Sequence, residues 1–150
     1  VIVRGLDLLF VYGSLRRGSC HPMARILEDG ARWMGVSRVE GLLYIIDWYP
    51  GLVPADAAGQ WVEGDLYRMA APEHLLPLLD DFEECSARFD HPLEYRREMA
   101  MVEQAGSHYP AWTYFYNHPV TSRPLIQAGK EDGISRFSVK RHASHLQHLN

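Results

Sequence analysis

The firmest constraint in this chain is the passage from an apolar run, Leu8-Leu9-Phe10-Val11, into Tyr12-Gly13-Ser14-Leu15 and then a basic stretch, Arg16-Arg17-Gly18. The run is short, continuous and apolar, too brief for a helix, and reads as a buried strand. A strand that leads straight into a small-residue loop presents backbone N–H groups to a ligand carboxylate or phosphate. Gly13 lets the chain bend and lets a ligand approach the backbone. Alone, the same tetrapeptide is equally a plain strand–helix connection. It gains meaning beside Leu79-Asp80-Asp81-Phe82-Glu83, which offers an acid–base carboxylate far along the sequence.

The 150 residues, 47% hydrophobic and 23% charged, suit one domain spanning 1–150. A net charge of -4 with no basic run longer than two residues argues against nucleic acid as a partner. Cys20 and Cys85 are too few for a disulfide scaffold and read as free thiols in a reducing compartment. Leu8–Val11 is too short for a signal-peptide core or a membrane span, so a cytoplasmic, soluble protein with no membrane partner is expected. The sequence opens at Val1, so an initiator Met was trimmed or not included.

His21–Glu28 reads as a short helix with Pro22 in its first turn and Gly30 as its stop. Ala31–Asp47 reads as one long strand or two consecutive ones broken near Gly41, and Tyr49–Pro54 as a turn and irregular segment. Trp61–Met69 alternates, but its two faces are not cleanly apolar and polar, which suggests cover on both sides. Pro72–Glu84 carries Leu75, Leu76, Leu79 and Phe82 at helical spacing, with Pro77 expected to kink or divide the helix. Glu94–Glu103 and Ala111–Tyr116 read as strands, Asn117–Gly133 as turns, and Ser138–Leu149 as a polar terminal helix. Adjacent strands with short connections and few helices point to a mixed sheet or small barrel rather than a doubly wound fold.

Phe10-Val11-Tyr12-Gly13-Ser14-Leu15-Arg16-Arg17-Gly18 resembles the opening signature of the gamma-glutamylcyclotransferase-like family. Further elements follow in that family's order: Tyr49-Pro50-Gly51-Leu52-Val53-Pro54, Val62-Glu63-Gly64-Asp65-Leu66-Tyr67, Leu79-Asp80-Asp81-Phe82-Glu83, Tyr95-Arg96-Arg97, Ala111-Trp112-Thr113-Tyr114 and Ala128-Gly129-Lys130-Glu131-Asp132-Gly133. The resemblance runs from residue 8 to residue 133. It implies an α+β fold, a mixed β-barrel with flanking helices and a pocket at its mouth. It implies that Tyr12, Gly13, Ser14 and Leu15 bind the glutamyl group through backbone amides, that Glu83 is the acid–base catalyst, and that Tyr114 lines the same pocket. The implied reaction turns a γ-glutamyl amide into 5-oxoproline and a free amine, without metal or organic cofactor. Where the family commonly has Gly after its catalytic Glu, this chain has Glu84, an immediate rival to Glu83.

Chemistry makes sense of these parts. A γ-glutamyl compound carries its own nucleophile, the α-amine, and attack on the γ-carbonyl closes a five-membered lactam. Held in the right rotamer, such a reaction reaches effective molarities on the order of 10⁵–10⁸ M. One carboxylate can take the ammonium proton and return it to the leaving amine, contributing ~10²–10⁴-fold. Loop N–H groups can hold the oxyanion or the α-carboxylate. Desolvation would raise the Glu83 pKa into the useful range.

Each residue also has a plainer reading. Glu83 can be a solvated helix end, with Asp80 and Asp81 as capping or surface groups; Tyr114 can be core. Arg96 and Arg97 can bind a substrate carboxylate or form structural ion pairs. Ser14 lacks a Gly two residues later, so it is no nucleophile elbow. His142, His145 and His148 could share a helix face, but no Cys or carboxylate joins them, so a polar surface helix is preferred to a metal site. Cys85 beside acidic residues has its thiolate disfavoured. Three rival functions stand beside the cyclotransferase. One is a non-catalytic binder of γ-glutamyl or amino-acid ligands. Another is a related amide-cleaving enzyme for γ-glutamyl-modified small molecules or ε-linked γ-glutamyl-lysine. The last is an interaction domain using Trp48 and Tyr49 around a filled pocket. The partner is a small molecule, and the protein is a monomer or homodimer.

Overall fold

Every residue of the first strand is buried, because it is paired on both edges and covered on both faces. The computed structural model describes residues 7–83 and 94–137. In chain order these form β1 (Leu8–Val11), α1 (Pro22–Gly30), β2 (Ala31–Glu40), β3 (Leu42–Ile45), β4 (Pro50–Val53), β5 (Trp61–Met69), α2 (Pro72–Phe82), β6 (Tyr95–Gln104), β7 (Ser107–Tyr116) and β8 (Ile134–Ser135). β1 lies antiparallel to β5, with Leu8 opposite Arg68 and Val11 opposite Asp65, and parallel to β7 at Leu9 and Trp112. β7 pairs with β6, β6 with β2, and β2 with β5, so the sheet closes on itself. The result is a five-stranded mixed barrel with two helices, the α+β class expected, and closure removes the strand edges. β8 extends β5 beyond the reach of β1.

Strand alternation sorts the core into two clusters. Leu8 and Phe10 join Val39, Val62, Leu66, Val102, Ala111 and Phe115, a cluster to which all five barrel strands contribute. Leu9 and Val11 face the other way, onto Leu27 of α1 and Leu75, Leu76 and Leu79 of α2. β5 divides similarly, with Val62 and Leu66 in the first cluster and Tyr67 and Met69 in the second, hence its mixed alternation. Gly64 is required there: a Cβ would lie 2.4 Å from Phe10 Cζ.

α1 begins with His21 as N-cap, its Nδ1 accepting from Met23 N–H at 3.1 Å, and with Pro22 in the first turn. α2 runs unbroken from Pro72 to Phe82 with Pro77 inside it. The expected division at Pro77 does not occur; burial of Leu75, Leu76 and Leu79 along one face holds the turns on either side together.

Tyr49–Pro54, expected to be irregular, contains a strand. β4 pairs with β3 from Leu42 opposite Val53 to Ile45 opposite Pro50. Its signal is hidden because Pro50 lacks an N–H, and side chains supply part of its backbone bonding: Tyr95 Oη donates to Pro50 O at 2.7 Å and Leu52 N–H donates to Tyr12 Oη at 3.1 Å. β7 starts at Ser107, earlier than expected, because Ala105 and Gly106 both take positive φ (50° and 83°) and turn β6 directly back on itself. Residues 117–133 contain neither helix nor strand, as expected, apart from a bridge between Tyr44 and Leu125. Glu84, Cys85 and the C-terminal segment with His142, His145 and His148 lie outside the described residues. No helix among the described residues is long and apolar enough to cross a membrane.

Candidate active site

The loop after β1 is a tight turn, Arg16 N–H donating to Gly13 O at 3.1 Å. The intervening amides of Ser14 and Leu15 have no acceptor among the described residues. The turn is pinned at its far end by Asp65 of β5, itself only 2% exposed. One Asp65 oxygen accepts from Arg16 Nε (3.0 Å) and Arg17 N–H (2.8 Å), the other from Arg16 Nη2 (3.2 Å) and Trp33 Nε1 (3.2 Å). Arg16 also reaches Glu63 at 2.8 Å, and Arg136 meets the other oxygen of Glu63 at 2.9 Å. Gly13 is a close approach as well: a Cβ there would sit 2.9 Å from Pro50 Cγ.

Glu83 is the residue after α2, its N–H closing the last turn onto Leu79 O at 2.8 Å. It and Tyr12, Gly13, Ser14, Leu15 and Tyr114 line one cavity of about 290 Å³. All six predicted site residues therefore come together. Tyr12 and Leu15 are buried, whereas Asp47 and Trp48 are exposed, so the cavity has a floor at the β1 loop and a rim at the β3–β4 turn.

Burial pushes the Glu83 carboxyl up to about 8, and the charges of Glu94 and Asp80 add to it. The C-terminal end of α2 is also the negative end of the helix dipole, which disfavours the carboxylate further. The phenols around it stay protonated. Burial holds Tyr12 well above its usual value, helped by Glu83 and opposed by the Leu52 N–H. Tyr95 is raised by burial, then by Tyr12 and Glu83. Tyr49 is raised by burial and by its very short hydrogen bond to Glu94.

The Tyr12 hydroxyl is committed to the fold: it donates to Tyr114 O at 2.7 Å while accepting from Leu52 N–H. What it offers a ligand is its ring and the backbone that follows. The Tyr114 hydroxyl donates to Asp80 Oδ1 at 2.7 Å, and Arg97 clamps Asp80 with two bonds of 2.8 and 3.1 Å. Asp80, expected only to cap or solvate the helix, thus fixes a cavity wall. Of the two arginines, Arg97 pairs with Asp80, and Arg96 pairs with Glu98 at 3.1 Å and bonds Tyr116 O.

Sequence reasoning missed Asp65, Glu94 and Tyr95. Asp65 had a readable signal: it shares a strand face with Glu63 across from a basic pair at the end of β1. Tyr95 stood in the Tyr95-Arg96-Arg97 element without a site role, and Glu94 had no signal, since only the folded barrel brings the start of β6 to the loop after β1. Trp48 and Tyr49 line an open cavity rather than surrounding a filled one. The arrangement supplies one carboxyl that exchanges protons near neutrality, a wall of neutral phenols and a turn with unspent amides.

Comparison with known proteins agrees with this geometry. Residues 9–131 match the family model described as gamma-glutamyl cyclotransferase, AIG2-like. A human protein named gamma-glutamylaminecyclotransferase is 36% identical over 94 residues, a match spanning 56% of this chain and 58% of that protein. Among solved structures, an AIG2-like protein from Mus musculus superposes with a TM-score of 0.62 at 24% identity, covering 89% of this chain and 96% of the other. YkqA from Bacillus subtilis gives 0.62 at 23% identity, covering 96% of this chain but 43% of that one. These two likenesses concern the fold. Since the matched segment takes in the β1 loop, the Asp65 clamp and Glu83, the chain belongs to the gamma-glutamyl cyclotransferase, AIG2-like family.

Proposed function

We propose that this protein cyclises the glutamyl group of a γ-glutamyl amine, releasing 5-oxoproline and the free amine, with Glu83 as general base and then general acid. The observation that carries the reading is the shared cavity: a carboxyl poised near neutrality lies with the Gly13–Leu15 turn, whose amides are unspent.

The substrate's glutamyl end occupies the buried floor. Turn amides hold the α-carboxylate or the oxyanion that forms at the γ-carbonyl. Glu83 accepts a proton from the α-ammonium. The freed amine forms the new N–C bond to the γ-carbon, and collapse of the tetrahedral adduct breaks the amide C–N bond. Glu83 returns that proton to the departing nitrogen, then takes the second proton from the attacking nitrogen and passes it on likewise, so the lactam keeps one N–H, the amine leaves as an ammonium ion, and atoms and charge balance without a further reactant. The leaving group extends towards the rim. Its nature as an amine follows the name of the human relative, and no Lys or Arg is among the described lining residues to receive the second carboxylate of a γ-glutamyl α-amino acid.

The test is 5-oxoproline release from a panel of γ-glutamyl amines and γ-glutamyl amino acids. Release from the amines by the wild-type protein, lowered ~10²–10⁴-fold in a folded Glu83→Gln variant, is expected. Undiminished release by that variant would remove Glu83 from the reaction; binding without release by the wild type would make the protein a binder.

A further inference from the structure

The rim of the cavity is built more rigidly than an exposed loop requires. Residues 46–49 form the tip of the β3–β4 hairpin, closed by Ile46 N–H to Tyr49 O at 3.0 Å. Arg123 Nη1 grips Ile46 O at 2.6 Å and fixes the same turn. Trp48 is 45% exposed and lines the cavity. It is nevertheless held in place. His21, the N-cap of α1, stacks on it with ring centroids 5.9 Å apart and planes 9° from parallel. Phe82, beside Glu83, packs edge-on to His21 at 4.8 Å, and Tyr49 packs edge-on to Trp48 at 5.1 Å. His21 and Tyr49 thus orient the indole at the cavity mouth, and Phe82 backs His21. Next to it stands Asp47, which lines the same cavity and whose carboxylate makes no hydrogen bond or ion pair among the described residues.

An oriented aromatic face beside an unspent carboxylate is the chemistry that receives an alkylammonium. The methylene chain lies on the ring while the cation gains from both the ring quadrupole and the carboxylate. Building on the cyclotransferase reading above, we infer that Trp48 and Asp47 form a leaving-group subsite selective for amines that carry a second, distal positive charge, such as alkyldiamines. The glutamyl end sits on the floor at Gly13–Leu15, the scissile amide lies by Glu83, and the far ammonium reaches the rim. Groups of equal length ending in methyl lose the charge interaction, and those ending in carboxylate meet repulsion from Asp47.

Three γ-glutamyl amides of equal chain length, ending in ammonium, methyl or carboxylate, test this. Their dissociation constants are measured by calorimetry on Glu83→Gln and their 5-oxoproline release on the wild type. The ammonium compound is expected to bind roughly tenfold more tightly than the methyl compound, and the carboxylate compound more weakly than either. Asp47→Asn is expected to shrink the ammonium preference, and Trp48→Ala to weaken both the ammonium and methyl compounds. Equal affinities for all three, or a preference untouched by Asp47→Asn, overturns the subsite. The expected order of binding without release from any compound overturns the reaction and leaves the subsite standing. Binding of none of the three overturns both.

Discussion

Glu63 and Glu83 are glutamates partly withdrawn from water, and the fold treats them in opposite ways. Burial pushes Glu63 up too, but hydrogen bonds from Arg16 and Arg136 outweigh it and hold its carboxyl below the usual range. Burial pushes Glu83 up to about 8, and its named charged neighbours, Glu94 and Asp80, are negative. One carboxylate anchors the loop that begins the cavity; the other is left costly to ionise inside it. The contrast teaches that withdrawal from water does not decide the role of an acid here. The sign of what faces it does, and cations sit behind the loop while the described cavity wall has none.

The largest expected effect lies at the uncompensated end. Glu83→Gln should lower 5-oxoproline release by ~10²–10⁴-fold. In the wild type, the acid limb of kcat/KM should rise with a midpoint near pH 8, since the base proposed is the ionised carboxylate. Stability should move the other way. A carboxyl whose folded pKa is raised from 4.5 to about 8 contributes stability that is fully present below the unfolded value and is lost as pH rises through the folded one. Melting curves of the two proteins should therefore coincide near pH 4, draw apart as pH rises to about 8 and stay apart above it, with Gln the more stable by on the order of a few kcal/mol. A Gln variant less stable than wild type at pH 9 would break the contrast with Glu63.

At the compensated end, Asp65→Asn strips charge from an acceptor that holds Arg16, Arg17 and Trp33 together. Removing one partner from a buried pair leaves the other uncompensated, at a cost of about 3 kcal/mol in urea unfolding. The turn carrying Ser14 and Leu15 loosens with it, so KM should rise more than kcat falls. Asp80→Asn sharpens the comparison from inside the cavity. It takes one negative charge away from Glu83, which favours the Glu83 carboxylate, so the acid limb of kcat/KM should shift to lower pH. The weaker grip on Tyr114 should reduce kcat/KM by at most roughly tenfold.

Much of this architecture was legible because its signals are local. β1, β2, β5 and α2 announce themselves by apolar runs or periodicity, and the β1–loop junction and Glu83 stand out as motifs. What was not legible depends on closure. β4 was hidden because tyrosine hydroxyls from β6 and the β1 loop bond its backbone. Glu94 reaches Glu83 only because the start of β6 is folded beside the end of α2. Asp80 read as a surface acid because helical spacing shows nothing of the Arg97 and Tyr114 that arrive from neighbouring barrel strands. Alternation explains why one arginine of the Arg96–Arg97 pair turns to the helix and the other to Glu98, yet not which one.

The smallest expected effect comes from the outermost cation. Arg136 is 40% exposed and bonds both Glu63 and Asp132. Exposed pairs of this kind contribute ~0.2–1 kcal/mol, because water screens the attraction and two long side chains lose freedom in making it. Arg136→Ala should therefore lower stability by less than about 1 kcal/mol and leave 5-oxoproline release unchanged, since Arg16 still holds both Glu63 and Asp65. High salt should erase most of the difference between the variant and wild type. A loss as large as that of Asp65→Asn would mean the cations behind the loop act as one cooperative unit. The division between them and the cavity would then lie in the network as a whole rather than in the burial of Asp65.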